Sequence, residues 1–490
     1  MTVKTTKKKP KKKNNSREYT NVLVLFTTLF ALLAGYLVYF QAFESRDVIN
    51  NPYNARIEAM ENQVIRGNIL SSDGQILAST KVNKDGTEKR EYPFGCTFSH
   101  VLGYSDYGKT GIESLGNFQL TRSNAYFIER FINELKEKKN IGDSLVTTLN
   151  VDIQTAAHDA LSTKNGAVVV IEPSTGNVLA LVSKPDYDPA EIAARWDEFS
   201  NSDDGVLLNR ATQGLYPPGS VFKTVTLLEY LREHQYETGG FSFDCKGKVT
   251  TGDTSISCYK GKKHGELNLT KAFDKSCNGA FAEIGRNLDI SAFKSLADQL
   301  LFNKELPLDF PYSKSSFSLE ESDPDVLKMM TAIGQGNTLV TPVHMAMLMS
   351  AIANDGVLMT PYFVDHIENS DGIEVSETKT MEYKKLMNSD EAQILSSYMQ
   401  SVVEGGTATS LSGLGYTVAG KTGSAEYEIN GNTGSEANFS THSWFVGFSN
   451  VEDPDIVVSV IAEDGGTGSS AAVPIAREVF NTYYNSVKTY

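Results

Sequence analysis

The feature that most restricts what this chain can fold into is an uncharged run near its start. The nineteen residues VLVLFTTLFALLAGYLVYF, at positions 22–40, contain no charged side chain. A helix rises about 1.5 Å per residue, so this run is long enough to cross the roughly 30 Å hydrocarbon core of a membrane. It is longer than the apolar part of a signal peptide, about 7 to 15 residues, and lacks a clear small-x-small cleavage site. We therefore predict a transmembrane helix at 22–40, with a cleaved signal peptide as the alternative.

The charge on either side of this run predicts its orientation. Residues 1–20 hold eight lysines or arginines and one acid, Glu18, so this tail carries +7 of the formal net charge of −15 and leaves −22 for the rest of the chain. Basic residues mark the cytoplasmic end of a membrane helix, so we expect a cytoplasmic tail at 1–21 and an extracellular chain beyond about residue 42. A nuclear-localisation or nucleic-acid role for KKKPKKK is disfavoured, because lysines beside a membrane helix need only anionic lipid as a partner.

The cysteines and histidines show no spacing typical of a metal site. The four cysteines include no C-x-x-C pair, and the seven histidines include no H-E-x-x-H. We therefore predict no metal site and no cofactor. Outside a membrane, Cys245 and Cys258 have two alternatives, a disulfide that closes the loop between them or two free thiols. The other two cysteines are Cys96 and Cys277.

Two strand-turn-strand patterns lie on either side of a long helical pattern. Residues 165–183, NGAVVVIEPSTGNVLALVS, hold two β-branched runs around a Pro-Ser-Thr-Gly turn. The runs at 441–450 and 455–464 form the second pattern, and TVAGKTGSAEY before them also has strand character. Residues 190–400 are mostly helical in pattern, as in VFKTVTLLEYLREH and VHMAMLMSAIAND. We expect an α/β fold in which strands from both ends meet in one sheet, with a helical insert.

Residues 43–145 show a different pattern, in which short apolar pieces alternate with turns. In VIRGNILSSDGQILAST the turn Ser72-Asp73-Gly74 lies between two strand-like runs, as in a hairpin. We expect a small strand-rich stalk here.

The stretch GYTVAGKTGSAE at 415–426 supports two incompatible interpretations. It matches the nucleotide-binding loop G-x-x-x-x-G-K-[ST], while its Lys-Thr-Gly is also the third element of a serine acyl-transfer site. GYSDYGKTG at 103–111 matches both patterns as well. A nucleotide loop needs a helix that begins at the lysine and a supply of ATP. Because the sequence after Lys421 is rich in turns and both copies lie beyond the predicted membrane helix, we favour the acyl-transfer interpretation.

An acyl-transfer site of this type needs S-x-x-K, S-x-N and K-T-G in that order. S-x-x-K occurs four times, but only YPPGSVFKTVTLLEYLREH brings its serine, Ser220, through a Pro-Pro-Gly turn to the start of a long apolar helix. Ser220 and Lys223 then lie on one helix face, three residues apart. Surroundings typical of surface segments mark the other three copies, at Ser257 to Lys260, Ser291 to Lys294 and Ser376 to Lys379.

The remaining two elements follow in order along the chain. DKSCNGAFAEIG supplies Ser276 and Asn278, and Lys421, Thr422 and Gly423 complete the set. The other K-T-G precedes every candidate serine and is therefore out of order. The alternative for the S-x-N element is an ordinary helix cap.

The chemistry assigns a role to each of these side chains. A serine hydroxyl needs a base to take its proton, and no histidine can be assigned to that task, which leaves Lys223. Lys223 can act only as a neutral amine, a state that burial and repulsion from Lys421 both favour by lowering its pKa. Ser276 can relay the proton to the leaving amine, and Asn278 can hold a substrate amide.

The third element supplies the rest of the expected site. The tetrahedral oxyanion needs two donors, for which we expect the backbone N–H groups of Ser220 and Ser424. The strand around Gly423 can pair with an extended peptide, and the glycine lets that backbone approach closely. Lys421 and Thr422 suit a substrate carboxylate. The prediction is acyl transfer through a covalent seryl ester.

Together these elements resemble the penicillin-binding proteins, specifically the membrane-anchored class B type, over about residues 45–490. The resemblance extends to GAVVVIEPSTGNVLALVSKPDYDP, LNRATQGLYPPGSVFK, IGQGNTLVTPVHMA, AGKTGSAE, HSWFVGFS and EDGGTGSS. It implies a transpeptidase domain with a five-stranded antiparallel sheet flanked by helices and a helical subdomain, plus a small strand-rich pedestal. By the same resemblance Ser220 is the acylated residue, surrounded by Lys223, Ser276, Asn278, Lys421, Thr422 and Gly423.

The resemblance also implies function, location and partners. It implies a D,D-transpeptidase of the bacterial plasma membrane that cross-links peptidoglycan stem peptides by attack on D-Ala-D-Ala and is inhibited by β-lactams. It further implies partnership with a lipid-II-polymerising glycosyltransferase of the SEDS family. The expected domains are a basic tail at 1–21, a membrane helix at 22–40, a pedestal resembling a dimerisation module at 41–145 and a transpeptidase domain at 146–490.

Two departures from the family pattern stand out. Where the family has R-G-x-I-x-D-R-x-G, the segment RGNILSSDG has Ser71 and Ser72 in place of the Asp-Arg pair, which removes two charges available for a partner contact. Cys277 is an unusual middle residue for S-x-N, and we expect an exposed thiol there to react with oxidants.

Two other classes of function use parts of the same pattern. A D,D-carboxypeptidase or a β-lactamase would use the same serine and let water reach the ester, but no deacylation base is identifiable. A non-catalytic β-lactam sensor or a scaffold of the division machinery normally carries several membrane spans and a cytoplasmic effector. The short basic tail offers no such effector.

Overall fold

The computed structural model describes residues 16–41, 63–136, 138–252, 254–429 and 438–488. The chain divides into two units, Met1–Glu58 and Ala59–Tyr490. Most of the predicted basic tail lies outside the described residues.

The described part of the first unit is helical, with α1 spanning Ser16–Tyr39. Within it, Tyr19–Tyr39 is long and apolar enough to cross a membrane, with a mean hydropathy of 2.2. The hydroxyls of Thr27 and Thr28 each donate to a backbone carbonyl one turn earlier, at 2.8 Å, so these two polar side chains need no water. The helix covers the predicted membrane segment at 22–40 except for its last residue.

The second unit contains helices and strands throughout. Its helices are α2 (Ser99–Leu102), α3 (Gly111–Leu115), α4 (Asn117–Leu120), α5 (Phe127–Leu135), α6 (Val151–Leu161), α7 (Trp196–Ser200), α8 (Lys223–Glu233), α9 (Leu269–Asp274), α10 (Asn278–Asn287), α11 (Ile290–Gln299), α12 (Asp325–Ala332), α13 (Pro342–Ala353), α14 (Ser389–Gly405) and α15 (Ala472–Thr482). Its strands are β1 (Val64–Ile65), β2 (Ile69–Leu70), β3 (Ile76–Val82), β4 (Glu88–Glu91), β5 (Asn140–Ile141), β6 (Ser144–Thr147), β7 (Gly166–Ile171), β8 (Val178–Lys184), β9 (Phe243–Cys245), β10 (Lys248–Thr251), β11 (Thr254–Ser257), β12 (Gly265–Leu267), β13 (Val357–Met359), β14 (Val364–Glu368), β15 (Glu374–Glu377), β16 (Glu382–Lys385), β17 (Val418–Ile429), β18 (Asn438–Ser449) and β19 (Val457–Ala462).

The centre of the second unit is a five-stranded antiparallel sheet in the order β17-β18-β19-β7-β8. Every residue of β7 and β19 is buried. Because successive side chains of a strand point to opposite faces, these strands must be covered on both sides of the sheet. Strands from both ends of the predicted domain meet here, which confirms the expected α/β fold.

Helices α6, α13 and α15 pack against this sheet. Every residue of α13 is buried, which explains why its sequence is almost entirely apolar. α13 begins with Pro342 and is capped by Thr341, whose Oγ1 accepts a hydrogen bond from the His344 N–H at 3.3 Å. Asn150 caps α6 in the same way, accepting from the Ile153 N–H at 3.0 Å. These caps fix where each helix begins against the sheet.

The segment predicted to be mostly helical, 190–400, holds strands as well as helices. Its described residues include the short strands β9 to β16, of three to five residues each. β15 and β16 are exposed throughout, and β14 is half-buried throughout. β14, β15 and β16 therefore lack the alternation of buried and exposed residues that is typical of a strand with one face on the core.

A six-stranded sheet forms the N-terminal part of the second unit, in the order β15-β14-β6-β2-β3-β4. β14 pairs antiparallel with β6, although the two are more than 200 residues apart in the chain. The predicted boundary between residues 145 and 146 falls inside β6. This sheet is therefore built from both of the predicted domains.

The expected hairpin around Ser72 is present. β2 and β3 pair antiparallel, and Gly74 in the turn has φ +79°. Ser71 is buried, donates through Oγ to Asp73 Oδ1 at 2.5 Å and accepts from the Gln75 N–H at 2.9 Å. Ser71 thus holds its own turn together at the position where the family pattern has a charged residue.

A buried ion cluster holds the pedestal together. Glu113 is fully buried between Arg66 and Arg90, at 2.6 Å and 2.7 Å from their guanidinium nitrogens. Burial alone would raise the pKa of Glu113, but the charges of the two arginines outweigh it and hold the pKa below its usual range. Arg90 Nη1 also donates to the Gly67 carbonyl at 2.6 Å, which ties the cluster to the start of the pedestal.

Candidate active site

The serine of the first motif lies in the turn that leads into α8. Gly219–Phe222 form a 3-10 turn and α8 starts at Lys223, so Ser220 lies in the turn that leads directly into the helix rather than in the first turn of the helix itself. Gly219 has φ +54°, a left-handed conformation that favours glycine. A Cβ at Gly219 would lie 2.7 Å from the Ser424 carbonyl oxygen. The turn that carries Ser220 therefore lies directly against the strand of the third motif.

Lys223 is fully buried, and its amine is held by the second motif. Its Nζ donates to Asn278 Oδ1 at 2.7 Å, to the Ser276 carbonyl at 2.8 Å and to Ser276 Oγ at 3.2 Å. Burial lowers the pKa of Lys223 to about 7. Among the described residues no hydrogen bond joins Ser220 Oγ to Lys223 Nζ. Such contacts are often long in a ligand-free site and tighten when substrate binds.

Lys421 is also fully buried and lies on the other side of Ser276. Its Nζ donates to Ser276 Oγ at 3.0 Å and to the Thr422 carbonyl at 3.0 Å. Burial first, and then the charge of Lys223, hold the pKa of Lys421 well below its usual range. Repulsion from Lys421 was expected to lower the pKa of Lys223 as well, but burial is the cause that lowers it. Because Lys421 Nζ points inward, its expected contact with a substrate carboxylate stays a prediction.

Ser276 and Asn278 form the link between these two lysines and the helix α10. Ser276 has φ +51°, a strained conformation for a residue with a side chain, and its Oγ accepts from both lysines. Its own hydroxyl hydrogen is therefore free to donate outward. Asn278 uses its Oδ1 for Lys223, and its Nδ2 donates to the Ser257 carbonyl at 3.0 Å. One amide hydrogen of Asn278 is left for a substrate.

The structure corrects one expectation about the cysteines and favours one of two alternatives for another pair. Cys277 is fully buried, so it is not the exposed thiol that we expected in the second motif. Cys245 and Cys258 are both free thiols, with their Sγ atoms 3.7 Å apart, and this excludes the disulfide alternative in this structure. His264 also lies in this group, which sequence spacing gave no sign of. Cys96 is free and lies outside the group.

The third motif lies on β17, the edge strand of the five-stranded sheet. A Cβ at Gly423 would lie 2.9 Å from Trp444 Cβ, 3.0 Å from Val221 Cγ1 and 3.1 Å from the Pro218 carbonyl, so only glycine fits this close approach. Ser424 follows it, beside the Ser220 turn. An edge strand can pair with an extended peptide through its free N–H and C=O groups.

Thr422 faces the end of α14 across a short contact. Its Oγ1 lies 2.5 Å from Thr407 Oγ1, and its side chain is almost fully buried. The expected contact of the Thr422 hydroxyl with a substrate carboxylate stays a prediction.

The Pro-Pro-Gly turn is held by residues outside the three motifs. Trp444 is fully buried, and its Nε1 donates to the Pro217 carbonyl at 3.1 Å. Tyr216 OH and Arg210 Nε both donate to Glu463 Oε1 at 2.7 Å. All of these residues lie in stretches that carried the family resemblance, and that is the one sequence signal that could have found them.

A surface cavity of about 780 Å³ lies between α6 and α15. It is lined by residues such as Asp152, Ala156, Ile475 and Glu478, and none of the motif residues takes part.

Two family models match the chain. The penicillin binding protein transpeptidase domain matches residues 166–481, and the penicillin binding protein A dimerisation domain matches residues 66–145. Among curated proteins, the peptidoglycan D,D-transpeptidase PbpA of Mycolicibacterium smegmatis is 30% identical over 489 residues, which cover 93% of this chain and 96% of that protein.

Solved structures agree with this match. The penicillin G acyl-enzyme complex of penicillin-binding protein A from M. tuberculosis has a TM-score of 0.77 and 27% identity, over 86% of this chain and 100% of that one. The D,D-transpeptidase domain of a peptidoglycan glycosyltransferase from Eggerthella lenta has a TM-score of 0.75 and 32% identity, over 86% of this chain and 98% of that one.

Proposed function

The chain belongs to the penicillin-binding protein transpeptidase family, and from that premise we propose that Ser220 is its nucleophile and Lys223 the base that activates it. The protein is a peptidoglycan D,D-transpeptidase, which cross-links stem peptides through a seryl ester formed at D-Ala-D-Ala and is a target of β-lactams.

The observation that carries the proposal is the state of Lys223. Its amine is fully buried one helical turn after Ser220, and its pKa is lowered to about 7. About half of such amines are neutral at pH 7, and a neutral amine can accept the hydroxyl proton of serine. The two nearest acceptors, Asn278 Oδ1 at 2.7 Å and the Ser276 carbonyl at 2.8 Å, can take both hydrogens of the neutral amine, which leaves its lone pair for the serine proton.

In acylation, the proton that Ser220 loses is matched by the proton that the leaving amine gains. Ser220 Oγ attacks the carbonyl carbon of the penultimate D-Ala, and its proton passes to the nitrogen of Lys223. The C–N bond to the terminal D-Ala breaks, and Ser276 Oγ gives its hydrogen to the leaving amine while it takes a proton from Lys223. In the second half-reaction the amine of an acceptor stem peptide attacks the ester, loses a proton along the reverse path and restores the Ser220 hydroxyl.

The oxyanion is stabilised by the backbone N–H groups of Ser220 and Ser424. The close approach of Gly219 to the Ser424 carbonyl supports this pairing, because it brings the two backbone segments side by side. Donors fixed in this way before the reaction lower its barrier most, since they do not have to reorganise as charge develops on the oxygen.

The substrate peptide pairs with the free edge of β17. Gly423 leaves room for its backbone, and the remaining amide hydrogen of Asn278 holds a substrate carbonyl. Thr422 binds the terminal carboxylate through its hydroxyl. Lys421 donates a hydrogen bond to Ser276 Oγ and so holds Ser276 in position.

The location and the partners follow from the family and the N-terminal helix. Tyr19–Tyr39 anchors the protein in the plasma membrane, and the basic residues before it keep the N-terminus in the cytoplasm and the catalytic unit outside. The expected partner is a glycosyltransferase of the SEDS family. The predicted pedestal at 41–145 supplies the surface for it.

A gel of membranes that contain the full chain, labelled with fluorescent penicillin, tests the nucleophile. We expect the labelled band to disappear in Ser220→Ala and to persist in Ser291→Ala, which changes the exposed serine of a second S-x-x-K in α11. Label that persists in Ser220→Ala would overturn the assignment of the nucleophile.

The lifetime of the label separates the transpeptidase from a hydrolase that uses the same serine. We expect a long-lived penicilloyl ester, because no deacylation base is identifiable in the sequence. Turnover of the drug within seconds would identify a β-lactamase instead.

A further inference from the structure

Three thiols and one imidazole meet beside the second motif. Cys258 Sγ lies 3.7 Å from Cys245 Sγ and 3.7 Å from Cys277 Sγ, and His264 Nδ1 lies 3.4 Å from Cys245 Sγ. All four of these atoms lie within 4.8 Å of one another. The three cysteines are almost fully buried, whereas His264 is partly exposed and leaves a path for an ion.

The spacing of these atoms fits a tetrahedral metal centre. Zinc–sulfur bonds of about 2.3 Å at a tetrahedral angle place two sulfurs about 3.8 Å apart, and a zinc–nitrogen bond of about 2.1 Å places nitrogen and sulfur about 3.6 Å apart. The observed 3.7 Å and 3.4 Å lie within a few tenths of these values. A disulfide would instead need sulfurs about 2.05 Å apart.

The segment that carries three of the four ligands contributes few apolar side chains to the core. It runs through β9 to β12, which form two two-stranded ribbons. Besides its cysteines, Ile256 and Leu267 are the only buried hydrophobic residues among those described between 243 and 267. Segments below about 40 residues need a disulfide, a metal or a partner surface to replace a hydrophobic core. This segment has no disulfide.

We propose that Cys245, Cys258, His264 and Cys277 bind one Zn²⁺ ion, which fixes the Ser276–Asn278 motif in place. Three soft thiolates with one imidazole favour zinc over magnesium or calcium, and four protein ligands without an open position are typical of a structural site. Binding releases the three thiol protons to solvent and leaves the imidazole neutral. No electron is transferred.

The site is joined to the catalytic residues by direct contacts. Cys277 stands between Ser276 and Asn278, so its bond to the metal fixes the backbone that holds Ser276 at φ +51°. Asn278 Nδ2 donates to the Ser257 carbonyl, and the next residue, Cys258, is the second ligand. The metal thus fixes both ends of the hydrogen bond that orients Asn278 toward Lys223. This catalytic consequence rests on the proposed function, whereas metal binding does not.

Metal analysis of the full-length chain in detergent tests the site directly. We expect about one zinc per chain in the wild type and in Cys96→Ser, whose thiol lies outside the cluster. Cys245→Ser removes a metal ligand. It should therefore lower the zinc affinity by more than about 100-fold, the largest loss typical when only a hydrogen-bond partner of a ligand is removed. Cys245→Asp, which keeps a zinc ligand of similar length, should restore binding. A wild type that holds no more zinc than Cys245→Ser would overturn the proposal.

Two measurements on the wild type keep the proposal testable if the variants fail to fold. Replacement of zinc by Co²⁺ should give the intense thiolate-to-cobalt absorption of a tetrahedral site. Alkylation after denaturation in chelator should label all four cysteines. Absence of the cobalt bands, or a Cys245–Cys258 disulfide in the mass spectrum, would contradict the site.

Penicillin acylation separates a positioning effect from a general loss of structure. In Cys245→Ser we expect a lower acylation rate constant with an unchanged final amount of labelled protein, because each folded chain still carries Ser220. Cys245→Asp should recover the rate. If the wild type holds zinc but Cys245→Ser lowers only the final amount of labelled protein, the metal supports folding and does not position the motif. If zinc is present and Ser220 is not labelled, the proposed function fails while the metal site stands.

Discussion

Lys223 and Lys421 donate hydrogen bonds to one and the same oxygen, Ser276 Oγ, at 3.2 Å and 3.0 Å. Both lysines are fully buried, and the pKa of each is lowered. Two ammonium ions that contact the same oxygen inside a protein repel each other strongly, so the arrangement favours a neutral amine. A neutral amine one turn after Ser220 is what the proposed mechanism requires.

Lys223→Arg should abolish base catalysis while the position keeps a cation. An arginine stays charged in proteins and cannot accept the serine proton. We expect the rate constant for acylation by penicillin to fall by about 100- to 10,000-fold, the usual contribution of a general base. Lys294→Arg makes the same change in the exposed S-x-x-K of α11 and should leave the rate unchanged. A Lys223→Arg protein that acylates at the wild-type rate would remove lysine from the mechanism.

Asn278→Asp should move the pH dependence of acylation upward. The variant puts a carboxylate 2.7 Å from Lys223 Nζ, and a charge at this distance raises the pKa of the amine by about 1 to 3 units. A higher pH is then needed to form the neutral base. Asn287→Asp adds the same charge at the exposed end of α10, where we expect no shift. An unshifted profile in Asn278→Asp would show that Lys223 does not set the profile.

Gly219→Ala should displace the Ser220 turn from the third-motif strand. The new Cβ would lie 2.7 Å from the Ser424 carbonyl, a backbone atom that cannot move aside easily, and φ is +54°. We expect a loss of about 1 to 3 kcal/mol in the free energy of unfolding. Acylation should slow by about 100-fold, the effect of a displacement of about 1 Å in an active site.

Gly405→Ala is the matched control for this change. Gly405 is exposed near the end of α14, and a Cβ there meets no atom within 4 Å. Neither stability nor acylation should fall. Equal effects of the two substitutions would contradict the close contact between the turn and β17.

Glu113→Gln should destabilise the pedestal. The change leaves the guanidinium groups of Arg66 and Arg90 without a buried counter-charge, which costs about 3 to 5 kcal/mol of unfolding free energy. Glu91→Gln removes an exposed partner of Lys81 at 3.4 Å and should cost less than about 1 kcal/mol. Thermal unfolding of the two variants beside the wild type measures the difference, and equal melting temperatures would contradict the structural role of the cluster.

The same carboxylate predicts how pH affects this stability. The pKa of Glu113 is lower in the folded chain than its ordinary value of 4.5. The stabilisation is therefore fully present above pH 4.5 and is lost as pH falls through the folded-state pKa. The difference in melting temperature between wild type and Glu113→Gln should shrink over that range.

The sequence predicted the parts of the fold that have strong local patterns. The strands at 166–171 and 178–184 are runs of β-branched residues around a turn, and Ser220 follows a Pro-Pro-Gly turn into a helix. Pairing between distant segments had no such signal. β14 joins the pedestal sheet through partners more than 200 residues away, and its half-buried residues do not alternate.

The candidate site shows the same limit at the level of single side chains. Ordered motifs identified Ser220, Lys223 and Asn278, because each has a fixed spacing from its neighbours. The metal ligands were missed because Cys245, Cys258 and His264 come from separate ribbons and turns. Spacing in the chain does not predict that Cys258 Sγ lies 3.7 Å from the Sγ atoms of both Cys245 and Cys277, because the tertiary fold determines these distances.

The most direct test of the central claim is the pH dependence of Ser220 acylation in the wild type. Because the base is an amine with a pKa of about 7, we predict that the acylation rate constant rises with pH, is half-maximal near pH 7 and is level above it. A rate constant that stays unchanged between about pH 5.5 and 8.5, with the protein folded throughout, would contradict a neutral Lys223 as the group that activates the serine.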